Sequence, residues 1–125
     1  MSAVRVFFYV QYLEGIGHLV RASRIVEALL AQGASVTLVM GGERVGGISL
    51  PACEIVELPP LRASPESYSR LLRPDGKPVD ASYEAERRDA LLTAYDNASP
   101  DVLITEAYPM GRWAMEFELG PLLEQ

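Results

Sequence analysis

Short apolar runs alternate along this chain with stretches whose apolar residues recur at helical spacing. Residues 4–10 form an unbroken run of apolar, β-branched and aromatic side chains, which is typical of a central parallel strand covered on both faces. From Leu19 to Leu29 the apolar residues recur every three or four positions, which predicts an amphipathic helix. Gly33 is placed to end that helix, and residues 35–40 predict a second strand.

The second half of the chain predicts two more strands and up to three helices. Residues 54–58 form a weaker third strand that Pro59 and Pro60 should close. Residues 61–79 form a long excursion, in which Ser64 and Pro65 could begin a short helix that reaches Leu72. Asp80 is a candidate N-cap for a helix that continues to about Ala98.

A fourth strand at residues 101–105 and a last helix at residues 112–119 complete an α/β pattern. Right-handed crossovers favour a Rossmann-like, mostly parallel sheet with strand order 3-2-1-4, covered by helices in three layers. In such a sheet, ligands bind beyond the carboxyl ends of the strands, where the strand order reverses between the first and fourth strands. The loops expected there are residues 15–18 and 106–111.

Composition and charge exclude several function classes. The chain has 125 residues, of which 49% are hydrophobic, so it is long enough for one globular domain. A net charge of −6 argues against a nucleic-acid-binding surface. One cysteine, Cys53, and one histidine are too few for a zinc site and fit a reducing, cytoplasmic location. The apolar run at residues 4–10 is too short to span a membrane, and no secretory cleavage site follows it.

Gly15, Gly17 and His18 lie where the first strand passes into the first helix. Backbone N–H groups at a helix N-terminus favour a phosphate or another anion, and Arg21 lies one turn further along. A dinucleotide fingerprint would need a third small residue at Val20 and an acid at the end of the second strand, so NAD is disfavoured. The alternative interpretation of the glycines is a tight turn that needs a positive φ.

His18 and Glu106 are the candidate catalytic residues. His18 would act as a general base on a hydroxyl nucleophile, and Glu106, directly after the fourth strand, would orient the imidazole or bind sugar hydroxyls. Both could instead be helix caps or loop residues without chemistry. The candidate substrate-binding set comprises Gly15, Gly17, Arg21, Gly41, Gly42, Tyr108 and Arg112.

Two further patterns limit the chemistry. No Asp-x-Asp pair and no Gly-x-x-x-x-Gly-Lys motif occur, which argues against a divalent-metal carboxylate site and against a P-loop nucleotide-binding protein. On the long helix, residues 87–89 are interpreted as a solvated face, with Tyr83, Leu91 and Ala94 among the residues available for burial.

Three segments, Val6–Ala22, Leu58–Leu61 and Pro100–Arg112, resemble the N-terminal part of predicted bacterial glycosyltransferases of the GT-B architecture. These are relatives of the peptidoglycan N-acetylglucosaminyltransferase group. The resemblance extends over essentially the whole chain, and its more specific part is the combination of the Gly-x-Gly-His loop with Thr105–Pro109.

The resemblance implies an acceptor-side domain of a two-domain enzyme, whose donor-binding domain is not part of this sequence. It implies metal-independent transfer of a sugar from a nucleotide-diphosphate sugar, with a UDP-sugar favoured, to a hydroxyl acceptor that could be presented at a membrane surface. No cofactor is expected beyond the donor substrate. The isolated chain is expected to be inactive, and to self-associate through the edge of the fourth strand at residues 102–105 or through the surface around Trp113 and Phe117. The rival hypotheses are a non-catalytic Rossmann-like binding module and a nucleotide-dependent oxidoreductase domain.

Overall fold

The computed structural model describes residues 3–10, 17–42, 50–64, 67–106, 118 and 121–122. Within these ranges the chain forms a five-stranded sheet and two long helices. In chain order the elements are β1 (Arg5–Val10), α1 (Gly17–Ala31), β2 (Ser35–Gly42), β3 (Glu54–Ser64), β4 (Ser67–Leu72), α2 (Ala81–Ala98) and β5 (Val102–Glu106).

The sheet is mostly parallel, as the α/β pattern predicts. β1 pairs in parallel with β2 on one side and with β5 on the other, and β2 pairs in parallel with β3. β4 pairs antiparallel with β3, so the order is β4-β3-β2-β1-β5. The predicted order of four strands, 3-2-1-4, is therefore wrong as a description of the whole sheet, although the neighbours of β1 and β2 are those expected.

The additional strand lies in the excursion where a short helix was expected. β3 does not stop before Pro59 but continues to Ser64, and residues 67–72 return alongside it. The longer β3 offers backbone N–H and C=O groups for pairing, and these outweigh the weak local helix signal at Ser64 and Pro65. The expected strand end at Leu58 is thus also wrong.

The hydrophobic core is divided between the two faces of the sheet, and alternate residues of β1 supply both parts. Phe7 and Tyr9 belong to a cluster that also contains Leu91 and Ala94 of α2. Val6, Phe8 and Val10 belong to a second cluster that contains residues of α1, namely Leu19, Ala22 and Val26. Successive strand side chains point to opposite faces, so the continuous apolar run of β1 is explained by burial on both sides.

The helix ends follow from specific residues. The Asp80 carboxylate accepts a hydrogen bond of 2.8 Å from the backbone N–H of Tyr83, as the N-cap prediction for α2 requires. Ser99 ends α2 in the left-handed conformation, with φ of 43°, and its N–H donates to the carbonyl of Tyr95. Gly33 has a φ of 89°, which confirms it as the residue that terminates α1.

Removal of the Asp80 cap should destabilise the fold without changing its topology. Asp80→Ala leaves a helix N–H without its acceptor, and we expect the free energy of unfolding to fall by about 1 kcal/mol. Asp80→Asn keeps a side-chain oxygen at the same place and serves as the matched control, with little change expected. Urea denaturation measures both variants, and an equal loss in the two would show that the cap contributes through charge alone.

Candidate functional site

The carboxyl ends of β1 and β5 meet at the centre of one edge of the sheet. Val10 and Glu106, the last residues of these strands, are register partners. β1 leads through α1 to its neighbour β2 on one side, while β5 lies on its other side, so the strand order reverses between β1 and β5. This is the position where open α/β sheets bind ligands. We refer to the ends of β1, β2 and β5, together with the part of β3 that lies beside the end of β2 at residues 59–61, as the carboxyl edge.

The N-terminus of α1 lies at this edge, and its first residue is Gly17, as the sequence predicts. Gly17 is exposed, its φ is not in the left-handed region, and a Cβ added to it would meet no atom within 4 Å. Neither backbone conformation nor packing among the described residues therefore requires glycine here. The positive-φ turn that was the alternative interpretation does not apply to Gly17.

Some of the other predicted site residues lie within the described ranges, and some lie outside them. His18 is the second residue of α1, Arg21 is exposed one turn later, and Glu106 ends β5. Gly41 and Gly42 end β2 and are both buried. Gly15, Tyr108 and Arg112 lie outside the described residues, as does nearly all of the predicted helix at residues 112–119.

Arg87 corrects the prediction of a solvated face at residues 87–89. Its side chain is fully buried, and so is that of Glu118, to which its guanidinium donates two hydrogen bonds. Nε lies 3.0 Å from Oε2 of Glu118, and Nη2 lies 2.7 Å from Oε1. The Tyr9 hydroxyl donates to the same Glu118 carboxylate. Spacing on the helix did not reveal this role, because the partner is 31 residues away in the sequence.

The third nitrogen of Arg87, Nη1, connects this ion pair to the backbone of β2 and β3. Nη1 donates to the carbonyl of Gly41 at 2.9 Å and to that of Pro59 at 2.6 Å. Gly41 belongs to β2 and Pro59 to β3, while Tyr9 belongs to β1. We call these groups the Arg87 cluster: the side chains of Tyr9, Arg87 and Glu118, and the carbonyls of Gly41 and Pro59.

The two prolines of β3 explain why an arginine is needed here. The β2–β3 register moves from Met40 opposite Glu57 to Gly42 opposite Leu61, so Gly41 faces a bulge of three residues. Pro59 and Pro60 have no backbone N–H and cannot continue the ladder of hydrogen bonds. A buried carbonyl without a donor is costly, and Arg87 supplies the donors instead.

The bulge forms one wall of a pocket at the carboxyl edge. The pocket has a volume of about 550 Å³ and is lined by Gly42, Glu57, Leu58, Pro59, Pro60 and Glu86. Two of these lining residues, Glu57 and Glu86, carry carboxylates, whose oxygens can accept hydrogen bonds from hydroxyl groups. Gly42, one of the candidate substrate-binding residues, lies beside them in this pocket.

A second cavity, of about 510 Å³, lies at the opposite end of the sheet. It is bounded by the starts of β2 and β3, at Thr37 and Glu54, and by the second half of α2. Ligands of open α/β sheets bind at the carboxyl ends of the strands, so we do not assign the candidate site to this cavity.

Burial shifts the protonation equilibria of the Arg87 cluster. Desolvation raises the pKa of Tyr9 well above the ordinary tyrosine value, and the negative charge of Glu118 raises it further. Burial alone would lower the pKa of Arg87, but the hydrogen bonds and charge of Glu118 outweigh it, and the net direction is upward. The cluster therefore holds a cationic arginine and a neutral tyrosine at neutral pH.

Within the described ranges, no group of three or more histidine, cysteine, aspartate or glutamate side chains could hold a metal ion. No helix found there is long and apolar enough to cross a membrane.

Comparisons with protein-family models, with curated proteins and with solved structures gave no match to this chain.

Loss of Arg87 should be among the most destabilising single changes in the protein. Arg87→Met leaves the buried Glu118 without its cation and two carbonyls without donors, and we expect a loss of about 3–5 kcal/mol. Adding Glu118→Leu removes the unpaired charge, so the double variant should recover part of that loss. Arg88→Met, one position along the same helix, is the control. Chemical denaturation of wild type, Arg87→Met, Glu118→Leu, the double variant and Arg88→Met would contradict the cluster if the effects of the two single changes were additive.

Tyr9 should make stability fall at alkaline pH. Its pKa is raised in the folded state, so the folded chain keeps a proton that the unfolded chain loses above about pH 10. Stability is complete below that pH and declines above it, by up to about 1.4 kcal/mol per pH unit. Tyr9→Phe should reduce this slope, and Tyr83→Phe, whose hydroxyl is less buried, should reduce it less. Unfolding measured between pH 8 and pH 11 is the test, and equal slopes in wild type and Tyr9→Phe would refute it.

Proposed function

We propose that this chain is the acceptor-side, N-terminal Rossmann-like part of a GT-B glycosyltransferase. In this proposal the enzyme moves a sugar from a nucleotide-diphosphate sugar, with a UDP-sugar favoured, to a hydroxyl acceptor without a metal. In the proposed enzyme this chain is part of a three-layer domain, and a second domain binds the donor. The observation that carries it is the meeting of the α1 N-terminus and the end of β5 at the switch between β1 and β5.

The proposed chemistry follows from the groups brought to that edge. The acceptor oxygen forms a bond to the anomeric carbon of the donor sugar while the bond from that carbon to the diphosphate oxygen breaks. His18 takes the hydroxyl proton, and Glu106 orients the imidazole or a sugar hydroxyl. N–H groups at the start of α1, with Gly15, Gly17 and Arg21, face the leaving diphosphate. Tyr108 and Arg112 complete the substrate-binding set.

The α1 N-terminus and the pocket beside Gly42 support a division of the edge into two parts. The partial positive charge of a helix N-terminus favours an anion, and the carboxylates of Glu57 and Glu86 at the pocket can accept hydrogen bonds from hydroxyl groups. A reaction between a diphosphate donor and a hydroxyl-bearing acceptor needs both environments side by side. A dinucleotide-dependent oxidoreductase is supported less, because β2 ends in Gly41 and Gly42 where an acid would bind the ribose.

Titration of the isotopically labelled chain separates this proposal from its rivals. We expect methyl β-D-glucopyranoside, a neutral hydroxyl-rich probe, to shift the amide signals of Gly42, Glu57 and Glu106 in a saturable way. NADH should not shift them, and UDP-sugars should bind weakly because the proposal assigns most of the donor contacts to a second domain that residues 1–125 do not include. Saturable binding of NADH would favour the oxidoreductase hypothesis. No binding of any probe would favour the non-catalytic module.

The role of His18 is tested in a sugar-transfer assay on an enzyme that contains this chain. His18→Ala should lower kcat by roughly 10²- to 10⁴-fold and leave donor affinity nearly unchanged, because a general base acts mainly in the transition state. Glu106→Gln should cost less, on the order of 10- to 100-fold. Arg24→Ala, on the exposed side of α1, is the control. An unchanged kcat in His18→Ala would place the catalytic base elsewhere.

A further inference from the structure

We propose that Arg87 is a positioning residue that sets the shape of the carboxyl edge at β2 and β3. It touches neither of the proposed reacting groups, and its effect on a ligand would pass through the backbone that it holds. The inference rests on the proposed function only in naming a glycoside as the ligand of that edge.

The first argument is the number of different elements that one guanidinium joins. Arg87 extends from α2 and contacts β2 at Gly41, β3 at Pro59 and the C-terminal segment at Glu118. Through Glu118 it is also linked to Tyr9 of β1. Five segments that are distant in sequence therefore have their relative positions fixed at one buried point.

The second argument is the position of these contacts directly beside the pocket. Pro59 is both an acceptor of Arg87 and a wall of the pocket, and Gly41 immediately precedes Gly42, another lining residue. Glu86, on the rim, is the helix neighbour of Arg87. A shift of the Gly41 or Pro59 carbonyl would move the pocket wall itself.

The third argument is the chemistry of the side chain. The planar guanidinium donates in three directions at once, to a carboxylate on one side and to two carbonyls on the other. A lysine ammonium keeps the charge but does not match this fork geometry. Arg87→Lys should therefore preserve much of the ion pair with Glu118 and lose carbonyl contacts at the strand ends.

Amide hydrogen exchange tests the positioning without any ligand. In Arg87→Lys, examined where circular dichroism shows it folded, we expect amides at residues 41–42 and at residues 57–62 other than the prolines to exchange roughly tenfold faster. Phe7 and Leu103 should change only as much as global stability changes. Tyr9→Phe removes a hydrogen bond to Glu118 but leaves the contacts of Arg87 with the two carbonyls, so it should not reproduce the local pattern. A uniform acceleration over the whole sheet in Arg87→Lys would overturn the proposal.

The wild-type protein provides a second measurement in case Arg87→Lys does not fold. The Arg87 Nε–H signal should be slow to exchange, and it should shift together with the Gly42 amide when methyl β-D-glucopyranoside is added. Where Arg87→Lys folds, its affinity for the glycoside should fall roughly tenfold relative to wild type, and that of Arg88→Lys should not. An Nε–H signal that stays unchanged while Gly42 shifts would overturn the proposal. Failure of the wild type to bind glycoside would refute the proposed function alone, and the exchange pattern would still decide the role of Arg87.

Discussion

The carboxyl edge of this sheet depends on a buried ion pair that replaces missing backbone donors. Pro59 and Pro60 interrupt the ladder between β2 and β3, at the end of the sheet where a Rossmann-like domain places its ligands. Arg87 supplies the donors, but its charge could not be buried without Glu118. The three features therefore depend on one another. The proline bulge lacks backbone donors, Arg87 supplies them, and Glu118 neutralises the charge of Arg87.

The pairing of Arg87 with Glu118 also affects which ligand groups each part of the carboxyl edge attracts. The Arg87 charge is neutralised inside the protein by Glu118, so it contributes little attraction for anions to the pocket beside it, whose rim carries Glu57 and Glu86. An anion is favoured instead by the N-terminus of α1, the helix that packs on the opposite face of the sheet from α2. The proposed transfer reaction uses a hydroxyl-bearing acceptor and an anionic donor, which these two features suit.

Local patterns predicted the elements whose signals lie within a few residues, and non-local contacts decided the rest. Gly33, Asp80 and the double-faced run of β1 act through their own neighbourhood, and the structure confirms them. β4 and the second half of β3 form by pairing with each other. Pro59 and Pro60 usually end a strand, so the sequence pattern did not predict that β3 continues past them. Arg87 is followed by another charged residue, so the sequence pattern assigned it to the solvent-exposed face of the helix. Its partners, at positions 9, 41, 59 and 118, are distant in sequence and become apparent only in the folded structure. Of the candidate site, the sequence indicated the meeting of α1 and β5 but not the pocket beside β3.

The position of Glu118 has a consequence for the order in which the protein is completed during synthesis. β1, β2, β3 and α2 all precede residue 100 in the chain, yet the counterion of Arg87 emerges from the ribosome only afterwards. Until then a guanidinium must remain hydrated between the ends of β2 and β3, which keeps that side of the nascent sheet open to water. The apolar faces on α1 can assemble early, whereas the edge proposed to bind ligand closes only after residue 118 has been synthesised.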